Sequence, residues 1–461
     1  MTDNALAGDA VWRDSRENEN MPDMPTYAIA RTAKLASVPV THAGRRAVVA
    51  GTRIGGGDSQ AALIRAQRRT AEQLFTVLGT LKGGAMKFGQ VLSVLEAALP
   101  EELVAPYRES LTKLQDSAPP MSAKSVNQQM VKSLGAEWRS KFQEFADVPS
   151  AAASIGQVHR AIWHDGREVA VKIQYPGAAK AVMSDLNQVA RMGNIFAFAF
   201  PGIDLKALLG ELKLRVAEEL DYLHESKVQR KFAVAFDGHK DYFVPHVLSA
   251  ANEVVITEWV EGKSLARIIE SGTQDERNLY GRLYLRFLLS GPRIAGLMHA
   301  DPHPGNFRVM PDGRLAVFDF GASAELPDGL PLAMGTLLRV SMDKDSAGIE
   351  AGLRAEGFIR PGISIDPDAL RDYLSPFTEP AQVPIFKHNR EWLREQFART
   401  SDPRNPDWAI GLKINLPPNY LLIHRVWLGS IGVLCQLEAE FSVIDEFKQW
   451  VPGFQDDKAV S

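Results

Sequence analysis

The residues of this 461-residue chain whose types and spacing could do chemistry lie between positions 299 and 321. Asp301 is followed after four residues by Asn306, and Asp319-Phe320-Gly321 comes a short segment later. Carboxylate and carboxamide oxygens suit Mg²⁺, which proteins bind through one or two carboxylates together with the phosphates of a substrate. This order and spacing are typical of sites that surround magnesium and the terminal phosphate of a nucleotide. The motif pair therefore predicts a site for Mg²⁺ and ATP or ADP.

A zinc site is the alternative for the same segment. His299, Asp301 and His303 occupy alternate positions, and histidine and carboxylate are common zinc ligands. Residues 313–318, however, form a turn signal followed by an apolar run, which predicts a strand that leads directly into Asp319. A strand before Asp-Phe-Gly favours the magnesium site of a protein-kinase-like fold.

Lys172, in the upstream half of the chain, is the residue that should bind the phosphates of the nucleotide opposite the Asp301–Asp319 segment. Residues 168–173 predict a strand, and a lysine inside such an apolar run needs a charged partner because an unpaired buried charge is costly. In a kinase-like fold the partner is a glutamate on a helix. Residues 211–231 predict one helix, whose acidic candidates are Glu218, Glu219, Asp221 and Glu225. The alternative for any of these residues is a solvated acidic face.

An alanine-rich loop stands where a protein kinase has its glycine-rich loop. Its residues are Ala151, Ala152, Ala153, Ser154, Ile155, Gly156, Gln157 and Val158. Methyl groups restrict the backbone and the approach of phosphate oxygens, so we expect a nucleotide pose that differs from that in protein kinases. Further upstream, Lys87 and Gln90 share one face of a predicted helix within residues 61–99, a pattern that a plain surface stripe would also give.

Taken together, these motifs resemble those of the UbiB/ADCK family of atypical kinases, over a match from about residue 31 to beyond residue 425. The resemblance implies an α+β fold with two protein-kinase-like lobes and an N-terminal helical extension that carries the KxGQ motif at Lys87 to Gln90. It also implies that Lys172 pairs with Glu225 and binds phosphate, and that Asp301 takes the place of the catalytic-loop aspartate. Asn306 and Asp319 would be the magnesium ligands.

Two further roles follow from the resemblance. The extension is expected to fold across the active site so that Lys87 meets Glu219 and Asp221, which would block the groove for a peptide substrate. Backbone groups of Glu258 and Val260 are expected to take the adenine, together with the alanine loop around the phosphates.

No Ala-Pro-Glu motif follows Gly321, so the platform on which protein kinases bind peptide substrates is not evident. We therefore expect an ATPase-like activity rather than phosphorylation of proteins in trans. Two alternatives stay open: a scaffold that uses the nucleotide only as a structural ligand, and a small-molecule phosphotransferase.

Composition and charge limit the remaining possibilities. A net charge of −4 argues against a nucleic-acid partner, and the single cysteine, Cys435, excludes an intramolecular disulfide. The first residues show no secretory signal, and the apolar run near residues 420–435 is interrupted by His424 and Arg425, so no transmembrane helix is predicted. A cytoplasmic location with peripheral membrane contact is expected.

The predicted organisation has five parts. Residues 1–30 form an acidic tail, residues 31–60 a basic segment, residues 61–144 the helical extension, residues 145–262 the N-lobe and residues 263–461 the helical C-lobe. Eight basic side chains and one acidic side chain lie in residues 31–69, so this region could face anionic lipid. The resemblance adds prenyl lipid, ubiquinone biosynthesis and quinone-biosynthesis proteins as expected partners.

Overall fold

The computed structural model describes residues 120–153, 155–184, 186–187, 204–401 and 404–455. The predicted acidic tail, the basic segment, Lys87, Gln90 and Ser154 lie outside the described residues, so the predictions made for them stay predictions. The described helices are α1 Ala123–Leu134, α2 Leu205–Glu219, α3 Tyr222–Ala235, α4 Leu265–Ser271, α5 Gln274–Ala295, α6 Leu332–Met342, α7 Ser346–Ala355, α8 Pro367–Thr378, α9 Arg390–Ser401, α10 Pro406–Gly411, α11 Leu421–Leu437 and α12 Val443–Trp450. The strands are β1 Phe142–Phe145, β2 Ala151–Ala153, β3 Gly156–Trp163, β4 Glu168–Gln174, β5 Tyr242–Phe243, β6 Val247–Ala251, β7 Val254–Glu258, β8 Lys263–Ser264, β9 Leu297–His299, β10 Phe307–Val309, β11 Leu315–Val317, β12 Ser323–Glu325, β13 Phe386–Lys387 and β14 Glu440–Phe441.

The N-lobe is an antiparallel sheet of β1, β3, β4, β7 and β6 in that order, with β2 paired to the end of β3. Alternate residues of β3 and β4 are buried, as expected for strands with one face in a core. Val126 and Met130 of α1 pack with Val169 and Ile256 of the sheet, and α3 contacts β6 and β7. The sheet is thereby held between helices, which fixes the direction in which the side chains of β4 point.

The predicted single helix over residues 211–231 is wrong, because the chain forms two helices that meet at Leu220 and Asp221. The Asp221 carboxylate accepts hydrogen bonds from the N–H groups of Leu223 at 2.9 Å and His224 at 3.1 Å. An aspartate that caps its neighbours in this way starts a new helix rather than continuing an old one. Asp221 and Glu225 therefore do not share a continuous helix face.

The C-lobe is built around α5, a 22-residue helix that begins with a capping box formed by Thr273 and Glu276. It ends at Gly296, whose φ of 66° places it in the left-handed region that favours glycine. Strands β10 and β11 pair as an antiparallel hairpin, which confirms the turn and strand predicted before Asp319. The predicted α+β fold is likewise confirmed.

Helix α11 belongs to the C-lobe core. Among the described residues, one helical segment, Pro418–Leu437, is long and apolar enough to cross a membrane. However, 56% of its apolar stretch is buried inside the protein. Leu421, Val426 and Leu434 pack into the main core cluster, and Cys435 is a fully buried free thiol whose pKa burial raises to about 12. Cys435 is thus a packing residue.

Candidate nucleotide site between the lobes

Lys172 on β4 connects the two lobes through carboxylates. Its Nζ lies 2.8 Å from Glu225 Oε1 on α3 and 3.0 Å from Asp319 Oδ1 in the C-lobe. The side chains of Lys172 and Glu225 are only 15% and 3% exposed. Burial by itself lowers the pKa of Lys172, but the charges of Asp319 and Glu225 outweigh it and leave that pKa well above its usual value. The ammonium group is therefore permanently charged at neutral pH and could receive phosphate oxygens.

Asp319 has a strained backbone. Its φ of 64° places a non-glycine residue in the left-handed region, which is uncommon and is often found at functional sites. The next residue, Phe320, is fully buried, with its ring 4.8 Å from the ring of Phe232 and 5.0 Å from that of His299. The anchored phenylalanine holds the Asp319 carboxylate toward Lys172 and the cleft.

Glu219, the last residue of α2, lies against the same segment. A Cβ added to Gly321 would come within 3.2 Å of Glu219 Cγ and 3.4 Å of Asp319 Oδ1. A Cβ at this position would press on the Glu219 side chain, so glycine eases this close approach, which brings a second carboxylate to the edge of the site. Asp221 does not join Glu219 there, because its carboxylate caps α3.

Asp301 is held at two points. Its Oδ2 accepts a hydrogen bond of 2.7 Å from the Asn306 Nδ2, and its Oδ1 lies 2.9 Å from Arg425 Nη2 on α11. Because a carboxylate cannot donate, the amide nitrogen of Asn306 must face Asp301, and the amide oxygen Oδ1 points away. Among the described residues, no donor occupies that oxygen. Carboxamide and carboxylate oxygens are ligands that Mg²⁺ takes, so the chemistry of the Asn306 and Asp319 side chains fits the metal.

His299 organises the backbone rather than a metal. Burial lowers its pKa, so the ring is neutral, and its Nε2 lies 3.3 Å from the Phe318 carbonyl oxygen. The Asp301 N–H points at its Nδ1 from 3.4 Å, and the His303 ring accepts a hydrogen bond from the Gly305 N–H. Within the described part of the chain, no group of three His, Cys, Asp or Glu residues is arranged to hold a metal ion. The zinc alternative therefore has no support.

The alanine loop forms a hairpin over the cleft. Ala151, Ala152 and Ala153 pair with Val158, Gln157 and Gly156, and Val158 in turn pairs with Lys172. Ile155 is buried at the turn. A Cβ on Gly156 would lie 2.1 Å from the carbonyl oxygen of Ile173, so the hairpin can approach β4 this closely only with glycine there.

Two buried polar side chains fix the underside of this hairpin. The Met121 N–H donates to Gln157 Oε1 at 2.7 Å, and Gln157 Nε2 contacts His159 Nε2 at 2.7 Å. His159 Nδ1–H in turn donates to the Ala146 carbonyl oxygen at 2.7 Å, so its Nε2 accepts. Burial lowers the pKa of His159, which agrees with a neutral ring in this chain of hydrogen bonds. The hairpin is thereby tied to Met121, just before α1, and to Ala146, just after β1.

The expected hinge lies where β7 leaves the N-lobe. Glu258 is the last residue of β7, and its N–H donates to the His246 carbonyl oxygen at 3.1 Å. The Val260 carbonyl oxygen accepts a 2.8 Å hydrogen bond from Arg308 Nη1, whereas its N–H has no acceptor among the described residues. One backbone donor therefore remains at Val260, where the resemblance places the adenine.

Arg425 is a residue of this site that sequence reasoning missed. It lies on α11, where Gly429 allows the helix to approach the catalytic loop, since a Cβ there would meet Pro302 Cγ at 2.4 Å. The Tyr284 hydroxyl also donates to the Pro302 carbonyl oxygen at 2.7 Å. The signal was the charge itself: an arginine inside an apolar helix needs a buried partner. That partner is Asp301.

The structure thus brings together Lys172, Glu225, Asp319, Asp301 and Asn306, with Glu219 at the edge. It leaves Asp221 on the start of α3, and Lys87 and Gln90 lie outside the described residues. The catalytic, nucleotide-binding and metal roles of these residues stay predictions.

The chain was compared with known proteins. Residues 113–352 match the model of the ABC1 atypical kinase-like domain. The atypical kinase coq-8, mitochondrial, of Caenorhabditis elegans is 31% identical over 63% of this chain and 39% of its own length. The atypical kinase COQ8, mitochondrial, of Saccharomyces cerevisiae is 31% identical over 58% of this chain and 53% of its own length. The chain thus spans about half or less of these two relatives.

A solved structure is also similar. The complex of Rv3197 with erythromycin from Mycobacterium tuberculosis is 40% identical, with a TM-score of 0.62, and the similarity covers 87% of this chain and all of that one.

Proposed function

Because this chain belongs to the ABC1 atypical kinase-like family, also known as UbiB, we propose that it binds Mg–ATP or Mg–ADP between its lobes and hydrolyses ATP. The observation that carries the proposal is the position of Lys172, held at 2.8 Å by Glu225 and at 3.0 Å by Asp319. Active kinases require this lysine–glutamate pair together with the Asp-Phe-Gly aspartate.

Each residue of the site has a role in this proposal. Lys172 binds the α- and β-phosphates, and Asn306 and Asp319 hold Mg²⁺, which neutralises charge on the phosphates when bound. Asp301 orients the attacking water and accepts its proton as the bond from phosphorus to the bridging oxygen of ADP breaks. Arg425 holds the Asp301 carboxylate in place, with Asn306 on its other oxygen. Glu258 and Val260 take the adenine.

The proposal extends to a biological setting. We propose that the ATPase supports ubiquinone or another isoprenoid-quinone biosynthesis at a membrane surface, with anionic or prenyl lipid and quinone-biosynthesis proteins as partners. The family membership and the basic composition of residues 31–69 support this setting. In cells that lack the protein, the wild-type chain should restore quinone content and Asp319→Asn should not.

Steady-state ATP hydrolysis by the purified full chain is the direct test. Wild type should turn over in a Mg²⁺-dependent way and faster with anionic liposomes, whereas Asp319→Asn should lose activity because a ligand charge is removed. Asp328→Asn is the matched control, since Asp328 is an exposed residue of the following loop and should retain wild-type activity. Nucleotide binding without turnover in any condition would contradict the ATPase and favour the scaffold.

A further inference from the structure

The C-lobe contains a cavity that the nucleotide site does not use. This C-lobe cavity, defined by the side chains of helices α6 to α11 that enclose it, has a volume of about 380 Å³. Native interiors leave few voids larger than a water molecule, whose share of liquid volume is about 30 Å³. Ligand pockets start at roughly 300 Å³. The cavity is therefore large enough for a small organic molecule.

The lining determines the chemistry of the ligand. Among the described side chains that line the C-lobe cavity, none is charged, and most are aliphatic or aromatic, such as Leu353, Phe377 and Trp427. A phosphate, a nucleotide or any other charged ligand would lose its hydration there without a compensating partner. Apolar cavities of this kind bind apolar guests instead.

Several polar side chains of the lining are already satisfied by protein. Asn415 accepts from the Asp204 N–H and donates to the Gly357 carbonyl oxygen, and the Tyr420 hydroxyl donates to Glu356 Oε2 at 2.7 Å. These groups hold the walls together. They are not available to a ligand without the loss of a structural hydrogen bond.

Within the described part of the chain, His424 has no such partner. Its Nδ1 is buried and has no hydrogen-bond partner among the described residues, although nearly all buried polar groups in native proteins have one. The ring packs beside Phe377, with centroids 6.3 Å apart, and faces the C-lobe cavity. Burial lowers the pKa of His424 to about 4, so at neutral pH the imidazole is uncharged, with one donor nitrogen and one acceptor nitrogen.

We propose that the C-lobe cavity binds an uncharged, largely hydrocarbon ligand that carries one hydroxyl or carbonyl group, with His424 as its hydrogen-bond partner. The apolar body of the ligand fills the space between α6 and α11, and its oxygen forms a hydrogen bond with His424 Nε2, because Nδ1 has no accessible surface. Leu428, which lines the cavity and is 36% exposed, marks the side from which the ligand enters. The site is separate from the nucleotide site and does not rest on the proposed ATPase.

Naphthol and naphthalene are a matched pair of probes, because they share one ring system and differ by a hydroxyl group. Binding to the full chain is measured without nucleotide by equilibrium dialysis, using the fluorescence of the probes themselves. We expect wild type to bind both and to prefer naphthol by about fivefold beyond the difference in their partition from water, as one net hydrogen bond implies.

Two variants locate the site. His424→Phe keeps the ring and removes the hydrogen bond, so naphthol should bind about fivefold more weakly while naphthalene is unaffected. Ser341→Phe places a large side chain on the opposite wall, on α6, and should abolish binding of both probes. His164→Phe, at an exposed histidine of the N-lobe, is the matched control and should bind both like wild type.

Several results would overturn the proposal. They are failure of folded wild type to bind either probe, unchanged binding in Ser341→Phe, or equal weakening of both probes by His424→Phe. Circular dichroism and thermal melting establish that each variant is folded. If His424→Phe does not fold, the preference of wild type for naphthol together with the result for Ser341→Phe decides the question.

Discussion

Replacing Glu225 by glutamine keeps the size of the side chain and removes the charge that faces Lys172. At the observed 2.8 Å, two unit charges attract by about 6 kcal/mol for an effective dielectric constant of about 20. Desolvation opposes this attraction, and removal of one partner of a buried pair costs about 3–5 kcal/mol in proteins. Asp319 still faces Lys172 at 3.0 Å in the variant. We therefore expect Glu225→Gln to lower the free energy of unfolding by about 2–3 kcal/mol.

Urea denaturation without nucleotide, followed by circular dichroism, measures this loss. Glu270→Gln is the control, because Glu270 pairs with Arg267 at 3.2 Å while both side chains are more than half exposed, at 64% and 73%. Exposed pairs of this kind contribute about 0.5 kcal/mol or less. If Glu225→Gln cost no more than this control, the reasoning that Lys172 depends on a buried charge pair would be refuted.

The pH dependence gives a second check on the same variant. The pKa of Lys172 is raised well above its usual value when the chain is folded, because burial, which lowers it, is outweighed by Asp319 and Glu225. Because the pKa of Lys172 is higher in the folded state, its contribution to stability is complete at pH values below the unfolded pKa of about 10.4. That contribution is lost as the pH rises through the folded pKa. The difference between wild type and Glu225→Gln should therefore stay constant from about pH 6 to about pH 9.

Three further predictions concern other contacts. A double-mutant cycle of Asp301→Asn and Arg425→Gln should give a coupling of about 1.5–3 kcal/mol in the free energy of unfolding, since both side chains are largely buried, at 16% and 11% exposure; a coupling near zero would contradict the pair. Burial lowers the pKa of His388 to about 4, so the folded state resists its protonation and stability should fall as pH drops from about 6.5 to about 4. His388→Gln should make that part of the curve less steep in urea titrations, while the buried rings of His159, His299 and His424 maintain the remaining slope. An unchanged slope would show that His388 does not contribute. Ala152→Gly should change the affinity for ATP relative to ADP in calorimetric titrations, and unchanged affinities for both nucleotides would remove the role of the methyl group.

The contacts that sequence could predict are those set by local patterns of residue type. Lys172 was predicted on a strand with a need for a charged partner, because an unpaired charge in an apolar run is costly. The choice of Glu225 among four acidic candidates came from the family resemblance. The break at Asp221 was missed since helical periodicity continues through it, and only the side-chain geometry shows that the carboxylate caps α3. Strain at Asp319 could not be predicted either, because it depends on the anchoring of Phe320.

The contact between Asp301 and Arg425 was missed for a different reason. The two residues are 124 positions apart, and nothing in the local pattern around either one indicates the other. Likewise, the C-lobe cavity depends on how six helices fail to fill the space between them, and no property of a single helix predicts that. Predictions from sequence therefore succeeded for motifs and failed where tertiary packing supplies the partner.

The distance in sequence between Asp301 and Arg425 has a consequence for the order in which the protein is made. Ribosomes add roughly 5–20 residues per second, so the 124 residues between the two take on the order of ten seconds to synthesise. Until then the nascent chain carries Asp301 without its cation, and the catalytic loop lacks the helix against which Pro302 packs. The proposed nucleotide site is consequently completed late in translation. A fragment that stops at residue 352, where the family match ends, would contain Asp301 but lack Arg425 and the rest of α11.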